Sequence, residues 1–177
     1  GVKSFSVSFS QQGSMMQDVV TGAVIKKLAK HYAAEIDCAD AVINLVYHQW
    51  MGAFPTNKDY AEQLINMSTT IASMVGADKI ITKTREEATG IPTKEANAKT
   101  VANTQYSLRI LSGLPEISDE QEEEILTLEV NAIMEAVFND PADTLWRKVF
   151  NSIKNGTIDV PFSPHIINHN EMITVRD

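Results

Sequence analysis

Two charged residues four positions apart carry the clearest chemical signal in the sequence. Lys83 directly follows a short β-branched run, and Glu87 comes four residues later. An ammonium can hold a hydroxyl or a carboxylate, and a carboxylate accepts hydroxyl hydrogens, so the two could orient a polar ligand such as a ribose. The spacing alone favours a simpler interpretation, an exposed ion pair at the start of a helix. A third interpretation makes Lys83 a Schiff-base amine, but the sequence gives no sign of the desolvated surroundings that such an amine needs.

A second group of candidates lies in the loop 48–55, which Gly and Pro punctuate. Met51 and Phe54 either plug a gap in the core, which is the commoner role, or offer a wall to a flat apolar ligand. His48 has no acidic or Cys companion at ligand spacing, so we predict a structural histidine and no metal site. The loop 11–14 places Gly13 before a helix start but lacks the glycine pattern of a dinucleotide or phosphate loop.

The elements that must position these residues alternate between strand and helix. Alternating or β-branched runs predict three strands, Ser4–Phe9, Ala41–Tyr47 and Lys79–Thr82. Helical periodicity predicts a helix after each strand, beginning near Ser14, Asn57 and Lys94. Such alternation is typical of parallel strands joined by helical crossovers. Ligands bind at the carboxyl ends of parallel strands, which selects the loops 11–14, 48–55 and 83–92.

The helix over Asn57–Val75 shows the clearest apolar stripe, and Gly76 then fits a left-handed cap. We expect this stripe to pack on the sheet; it comprises Tyr60, Leu64, Met67, Ile71 and Met74.

The remainder of the chain is predicted to be helical. A capping box of Ser118 and Gln121 opens one helix, Asp140 and Pro141 open another, and the tail 158–164 is extended, with room for one short strand. We therefore expect βα units over residues 1–113 and a helical extension with a tail over 114–177, both in the same domain.

Composition excludes several classes of function. A net charge of -8 and a pI near 5.0 argue against nucleic acid or an anionic membrane surface as the main partner. No apolar run approaches the roughly 20 residues that a bilayer requires. The single cysteine, Cys38, cannot form an internal disulfide and suits a reducing compartment, so we expect a cytoplasmic location. The start and the end of the sequence both suggest a segment of a longer chain.

Four segments together resemble one family. They are the segments 48–55 (HQWMGAFP), 83–88 (KTREEA), 90–98 (GIPTKEANA) and 159–162 (DVPF), the last followed by Val175, Arg176 and Asp177. In this order and at these separations they resemble the epsilon chain of glutamate mutase, also called methylaspartate mutase. The resemblance covers essentially all 177 residues and corresponds to the later part of the family's longer chain.

The resemblance implies a fold and an activity. The fold is a (β/α)8 TIM-type barrel, of which this chain would hold the later strand-helix units plus extra C-terminal helices. The activity is that of an isomerase, an adenosylcobalamin-dependent mutase that converts L-glutamate to (2S,3S)-3-methylaspartate by a radical carbon-skeleton rearrangement. The implied partners are a cobalamin-binding sigma subunit, which ligates the cobalt, and a second epsilon chain in a heterotetramer. We expect the segment alone to be inactive. A non-catalytic half-barrel scaffold is the alternative.

The resemblance also assigns residues. Lys83 and Glu87 match positions that contact the adenosyl part of coenzyme B12. This match favours the interpretation in which the two residues bind a ribose, here called the ribose clamp, over the exposed ion pair. Phe54 and Ile91 match further cofactor contacts, and Met51 lies where the family lines the same cavity. The family's substrate-binding arginines and its cobalt-ligating signature have no counterpart here. We therefore predict no substrate-binding residue and no metal ligand in this segment, and assign no catalytic residue.

Overall fold

The computed structural model describes residues 2–115 and 117–158, in two compact units, Gly1–Glu124 and Ile125–Asp177. The first unit alternates strands and helices as the sequence predicts. Its strands are β1 (Ser4–Ser10), β2 (Val42–His48) and β3 (Lys79–Ile81), and its complete helices are α1 (Met15–Glu35), α2 (Lys58–Met74) and α3 (Lys94–Ile110). Helix α4 (Glu120–Phe138) begins in the first unit and continues into the second, which also holds α5 (Leu145–Lys154).

The three strands form a parallel sheet in the order β1-β2-β3. Ser4 pairs with Val42 at one end of β1 and Ser10 pairs with His48 at the other, while β3 covers only the last part of β2. Both crossovers step in the same direction across the sheet, so α1 and α2 lie on one face. Residues of β1 alternate between half-buried and exposed, as the period of two predicts.

The core of the first unit lies between that face and the two helices. Tyr47 of β2 is fully buried and packs with Val19 of α1 and with Ile71 and Ala72 of α2. The rings of Phe9 and Tyr47 meet edge to face, with centroids 5.4 Å apart. The apolar alternate residues of the strands thus meet the apolar sides of the helices and stabilise the sheet.

The expected TIM-type barrel is wrong for the described residues. Their sheet has three strands and is open, with β1 and β3 as its two edges. Closing a barrel requires a continuous ring of tilted, staggered strands, and three strands cannot form one. Over residues 2–115 and 117–158 the fold is a small α/β arrangement with an open parallel sheet and five helices.

The buried side of α2 also differs from the expected stripe. Tyr60 is 63% exposed and Met67 is 49% exposed, although Ile71 is buried as expected. Small and polar residues occupy much of the buried side, which comprises Ala61, Ile65, Ser68, Thr69, Ile71 and Ala72. The periodicity predicted a purely apolar contact between α2 and the sheet. The observed contact also includes the hydroxyls of Ser68 and Thr69, which hydrogen bond to the buried side-chain amides of Gln11 and Gln49.

The helix caps confirm some predictions and correct others. The Ser14 hydroxyl accepts the N–H of Gln17 at the start of α1, and Gly76 has a φ of 65° after α2, both as expected. Helix α4 is capped by Asp119 rather than Ser118, since the Asp119 carboxylate accepts the N–H groups of residues 121 and 122. A carboxylate there also complements the helix dipole.

Helix α5 of the second unit begins later than the sequence predicts. Helix α5 starts at Leu145, so Asp140 and Pro141 lie in the preceding turn. The Asp140 carboxylate accepts the Ala142 N–H at 2.9 Å and the Asn151 side-chain amide at 3.1 Å, which makes Asp140 a brace for the turn rather than a helix cap. The short strand predicted near 158–164 lies almost wholly outside the described residues. Within the described ranges, no helix combines the length and apolarity needed to cross a membrane.

Candidate functional site

The three loops selected from the sequence lie side by side at the carboxyl edge of the sheet. The register that pairs Ser10 with His48 and His48 with Ile81 makes all three loops begin at the same level. The ladder continues one step beyond the strands, where the Gln11 N–H donates to His48 O at 3.0 Å and the Gln49 N–H donates to Ile81 O at 3.1 Å. The loops 11–14, 48–55 and 83–92 therefore lie together where ligands bind in parallel sheets, and we call this edge the rim.

Lys83 and Glu87 meet on this rim. The Lys83 Nζ lies 2.6 Å from Glu87 Oε1, and the side chains are 21% and 29% exposed. The residues between them form turns rather than a helix, so the contact bridges a loop. The structure therefore brings the two predicted residues together as a partly shielded ion pair, with one face of each group available to water.

The residues between this pair fasten the loop to its neighbours. The Arg85 guanidinium donates to Lys58 O and pairs with Glu62, both at 3.1 Å. The Glu86 carboxylate accepts the backbone N–H and the hydroxyl of Thr93, and these hydrogen bonds hold the pKa of Glu86 below its usual value. These ties flank a cavity of about 280 Å³ that is lined by residues from α2, the loop and α3. The loop that carries Lys83 and Glu87 is thus held from both sides.

The apolar candidates are exposed to different degrees. Ile91 is 98% exposed, Met51 is 50% exposed and Phe54 is half-buried. The core-plugging interpretation therefore does not apply to Met51, whereas the partial burial of Phe54 is compatible with it. The Trp50 indole donates to Ala53 O at 3.1 Å and lies so close to Gly52 that a Cβ there would be 2.7 Å from the ring. This contact shapes the loop that presents Met51 and Phe54.

Two glutamines beneath the rim were missed by the sequence reasoning. Gln11 is 4% exposed and Gln49 is 1% exposed, and each comes immediately after a strand. The Gln11 side-chain carbonyl accepts the Trp50 N–H at 3.2 Å, and that of Gln49 accepts the Lys83 N–H at 2.9 Å. Their position directly after a strand could have identified them from the sequence, because many ligand-binding residues occupy that position.

The loop 11–14 is organised by a buried carboxylate that sequence reasoning also missed. Asp18 is fully buried in the first turns of α1 and accepts the Gln12 N–H at 2.7 Å. Burial raises the pKa of the Asp18 carboxyl, although hydrogen bonds from Gln12 and Gly13 partly oppose the rise. Burial and the nearby Asp18 charge also raise the pKa of the Tyr47 phenol. The backbone N–H groups of Gln12 and Gly13 are thus directed at Asp18.

Comparison with known proteins agrees with the segments that carried the resemblance. The family model described as methylaspartate mutase E chain matches residues 1–177. The glutamate mutase epsilon subunit of Treponema denticola is 36% identical over 180 residues, and that of Escherichia coli O157:H7 is 34% identical over 180 residues. The epsilon subunit of Haloarcula marismortui is 29% identical over 179 residues.

These alignments cover all of this chain but only part of the relatives. The matched region is 37% of the Treponema and Escherichia subunits and 36% of the Haloarcula subunit. The family model matches the full length of the chain, and these relatives are 29% to 36% identical to it over the matched region. The chain belongs to the methylaspartate mutase E chain family, whose curated relatives are named glutamate mutase epsilon subunits.

Proposed function

We propose that this chain forms the adenosyl-side wall of the cofactor site in a glutamate mutase that depends on coenzyme B12. The complete enzyme would interconvert L-glutamate and (2S,3S)-3-methylaspartate by a radical rearrangement. The observation that carries the proposal is the Lys83–Glu87 pair, which lies on the rim where the carboxyl ends of the strands meet.

The rim has the chemistry that a nucleoside requires. A carboxylate can accept two hydrogen bonds from a ribose diol, and an ammonium can donate to the same hydroxyl oxygens. Glu87 and Lys83 are 2.6 Å apart, so both can contact one sugar without either moving far. Ile91 and Met51 present apolar surface to solvent on adjacent loops, which suits a flat adenine or the edge of a corrin. The residues present therefore fit the adenosyl part of the cofactor.

The residues of this chain would bind and shield rather than react. Coenzyme B12, when bound, supplies the radical chemistry that begins with hydrogen abstraction from the substrate. Lys83 and Glu87 would orient the ribose, and the loops that carry Phe54 and Ile91 would limit the access of water. Because Arg85 and Glu86 fasten the loop 83–92 before the ligand binds, Lys83 and Glu87 would be preorganised, and binding would cost little conformational entropy.

The proposal requires other protein parts. A cobalamin-binding sigma subunit would hold the cobalt, and two epsilon chains would assemble with sigma subunits in a heterotetramer. Residues outside this segment would bind the substrate carboxylates and amine, since we assign none of those roles to residues here.

The Schiff-base alternative fits the site less well. A Schiff-base lysine is activated by desolvation or by a neighbouring cation. Lys83 instead contacts the Glu87 carboxylate and keeps about a fifth of its side chain exposed. Those surroundings suit a hydrogen-bonding ammonium that holds a ligand.

Direct titration of the chain tests the clamp. We would add 5′-deoxyadenosine to the ¹⁵N-labelled 177-residue chain and follow amide chemical shifts. We expect saturable shifts in the loops 48–55 and 83–92. Lys83→Ala and Glu87→Gln should each weaken binding by about tenfold, the value of one charge-assisted hydrogen bond.

Lys30→Ala is the matched control, because Lys30 is an exposed lysine near the other end of α1. It should leave the affinity unchanged. Unaltered 5′-deoxyadenosine binding in both rim variants, or shifts confined to other surfaces, would reject the clamp and favour the scaffold. A chimeric enzyme provides the second test. In it, this chain replaces the matching segment of the Treponema epsilon subunit. Lys83→Ala should lower its mutase turnover with the sigma subunit and coenzyme B12.

A further inference from the structure

Gln49 connects three parts of the first unit through one buried side chain. Its Oε1 accepts the Lys83 N–H at 2.9 Å, and its Nε2 donates to Thr69 Oγ1 at 2.9 Å and to Ile65 O at 3.3 Å. Its own backbone N–H donates to Ile81 O. A side-chain amide can both donate and accept, and Gln49 uses both capacities while it is 1% exposed.

The same arrangement occurs one strand away. In the register of β1 and β2, Gln11 occupies the position that is equivalent to Gln49. The Oε1 of Gln11, which follows β1, accepts the Trp50 N–H in the loop after β2. In the same way, the Oε1 of Gln49, which follows β2, accepts the Lys83 N–H in the loop after β3. Ser68 donates to Gln11 Oε1 at 2.5 Å, and the adjacent Thr69 accepts from Gln49, so consecutive hydroxyls of α2 serve both glutamines.

This repetition has a consequence for the rim. Each glutamine ties the loop after the next strand to helix α2, so the three loops have a common anchor. The backbone at Lys83 is held by Gln49 on its buried side, while the Lys83 ammonium contacts Glu87 nearer the surface. The position of the ammonium therefore depends on a residue that is itself too deeply buried to contact a ligand on the rim.

We propose that Gln49 is a positioning residue that sets the ligand-binding geometry of Lys83 and Glu87. This inference rests on the proposed function, because it takes the ribose clamp as the property that Gln49 controls. Loss of the Lys83 anchor would free the start of the loop 83–92 and raise the cost of ordering it on binding. Gln49→Met removes both the acceptor and the donor at similar side-chain length.

The first measurement needs no variant. In the wild-type chain, a scalar coupling across the hydrogen bond should connect the Lys83 amide nitrogen with Gln49 Cδ, and the Lys83 amide should exchange slowly with water. Absence of the coupling together with rapid exchange would overturn the proposal. This result does not depend on any ligand, nor on whether a variant folds.

The variants then separate positioning from general stability. Gln49→Met should make the Lys83 amide exchange rapidly and weaken 5′-deoxyadenosine binding by about tenfold. Gln49→Glu keeps an acceptor for the Lys83 N–H but loses the donor to α2, so it should retain slow exchange at Lys83 in spite of lowered stability. Val24→Ala, in a buried part of α1, is the matched control for a stability loss without contact to the rim. It should leave both exchange at Lys83 and affinity unchanged.

The outcomes distinguish the two proposals. If the wild-type chain shows the coupling but does not bind 5′-deoxyadenosine, the proposed function fails, whereas the anchoring of Lys83 is upheld. If the wild type binds and Gln49→Met binds equally well, the positioning role alone is rejected. Equal losses of affinity in Gln49→Met and Val24→Ala would likewise reject it, since stability would then explain both.

Discussion

The carboxyl end of the parallel sheet and the start of its edge strand β3 are organised by different kinds of polar group. At the carboxyl end, the neutral amides of Gln11 and Gln49 are buried and bind loop backbone and helix hydroxyls. At the start of β3, Asp78 accepts the Leu45 N–H at 2.8 Å and pairs with Lys26 at 2.9 Å, with both charged side chains at least a third exposed. The hydrogen bonds of the buried amides involve no charged group, whereas the contribution of the exposed Asp78–Lys26 pair depends on pH and salt.

The buried amides lie at the carboxyl end, for which we propose the ligand-binding role. On the rim, the neutral hydrogen bonds of the amides add to the charged contacts of Arg85 and Glu86 that hold the same loop. Unpaired buried groups are costly, so the amide network should contribute more to stability than the ion pair. Four substitutions, with their controls, break or sharpen this comparison.

The largest effect is expected from Gln11→Leu at the carboxyl end. It removes the acceptor of the partly buried Trp50 N–H and one of the two acceptors near the Ser68 hydroxyl, the other being Leu64 O. We expect the free energy of unfolding to fall by about 2–3 kcal/mol, the cost of stranded buried polar groups. Denaturant unfolding measures the change.

The neighbouring glutamine provides the control for that substitution. Gln12 is exposed and its side chain donates to Ser10 O. Gln12→Leu should change the free energy of unfolding by no more than about 0.5 kcal/mol. Equal losses in the two variants would mean that the buried network has no special weight.

A smaller effect with a characteristic pH dependence is expected from Asp78→Ala. The Leu45 N–H and Lys26 hold the pKa of Asp78 below its usual value, so its contribution is present above the pKa of an unfolded aspartate and disappears as the pH falls through the lower native pKa. We expect a loss of about 0.5–1 kcal/mol at pH 7, as for an exposed pair, and a progressively smaller loss as the pH falls through the native pKa of Asp78.

Asp18 should show the opposite sign. Its native pKa is raised, so the folded protein takes up a proton before the unfolded chain does, and native stability gains as the pH falls through that raised pKa. Compared with Asp18→Asn, the wild type should therefore become relatively more stable on acidification from pH 7. Urea unfolding at several pH values measures both slopes, and parallel slopes for the two aspartates would contradict the assignment of causes.

The smallest effect on stability is expected from Ile91→Ser on the rim. Ile91 is 98% exposed, so the free energy of unfolding should change by less than about 0.5 kcal/mol. The same substitution should weaken 5′-deoxyadenosine binding about threefold, because an apolar contact is lost. Val2→Ser removes an exposed apolar side chain ahead of β1 and should alter neither property. A stability loss in Ile91→Ser would show that this residue packs in the fold.

The sequence by itself determined the local elements, because their causes lie within a few residues. Alternation in β1, the Ser14 cap and the left-handed Gly76 each follow from neighbouring side chains and backbone sterics. The short separation of Lys83 and Glu87 likewise made their contact predictable. Residue types and order also identified the family.

Only the tertiary structure decided the rest, because those features need contacts between distant segments. Whether the sheet is open or closed depends on strand pairing, so the element order alone could not correct the barrel prediction. Tyr60 is exposed because α2 uses Ser68 and Thr69 on its buried side, where the amides of Gln11 and Gln49 arrive from two different strands. Such a network is invisible in any single window of the chain, since its members are separated by up to 57 positions and meet only after the strands have paired.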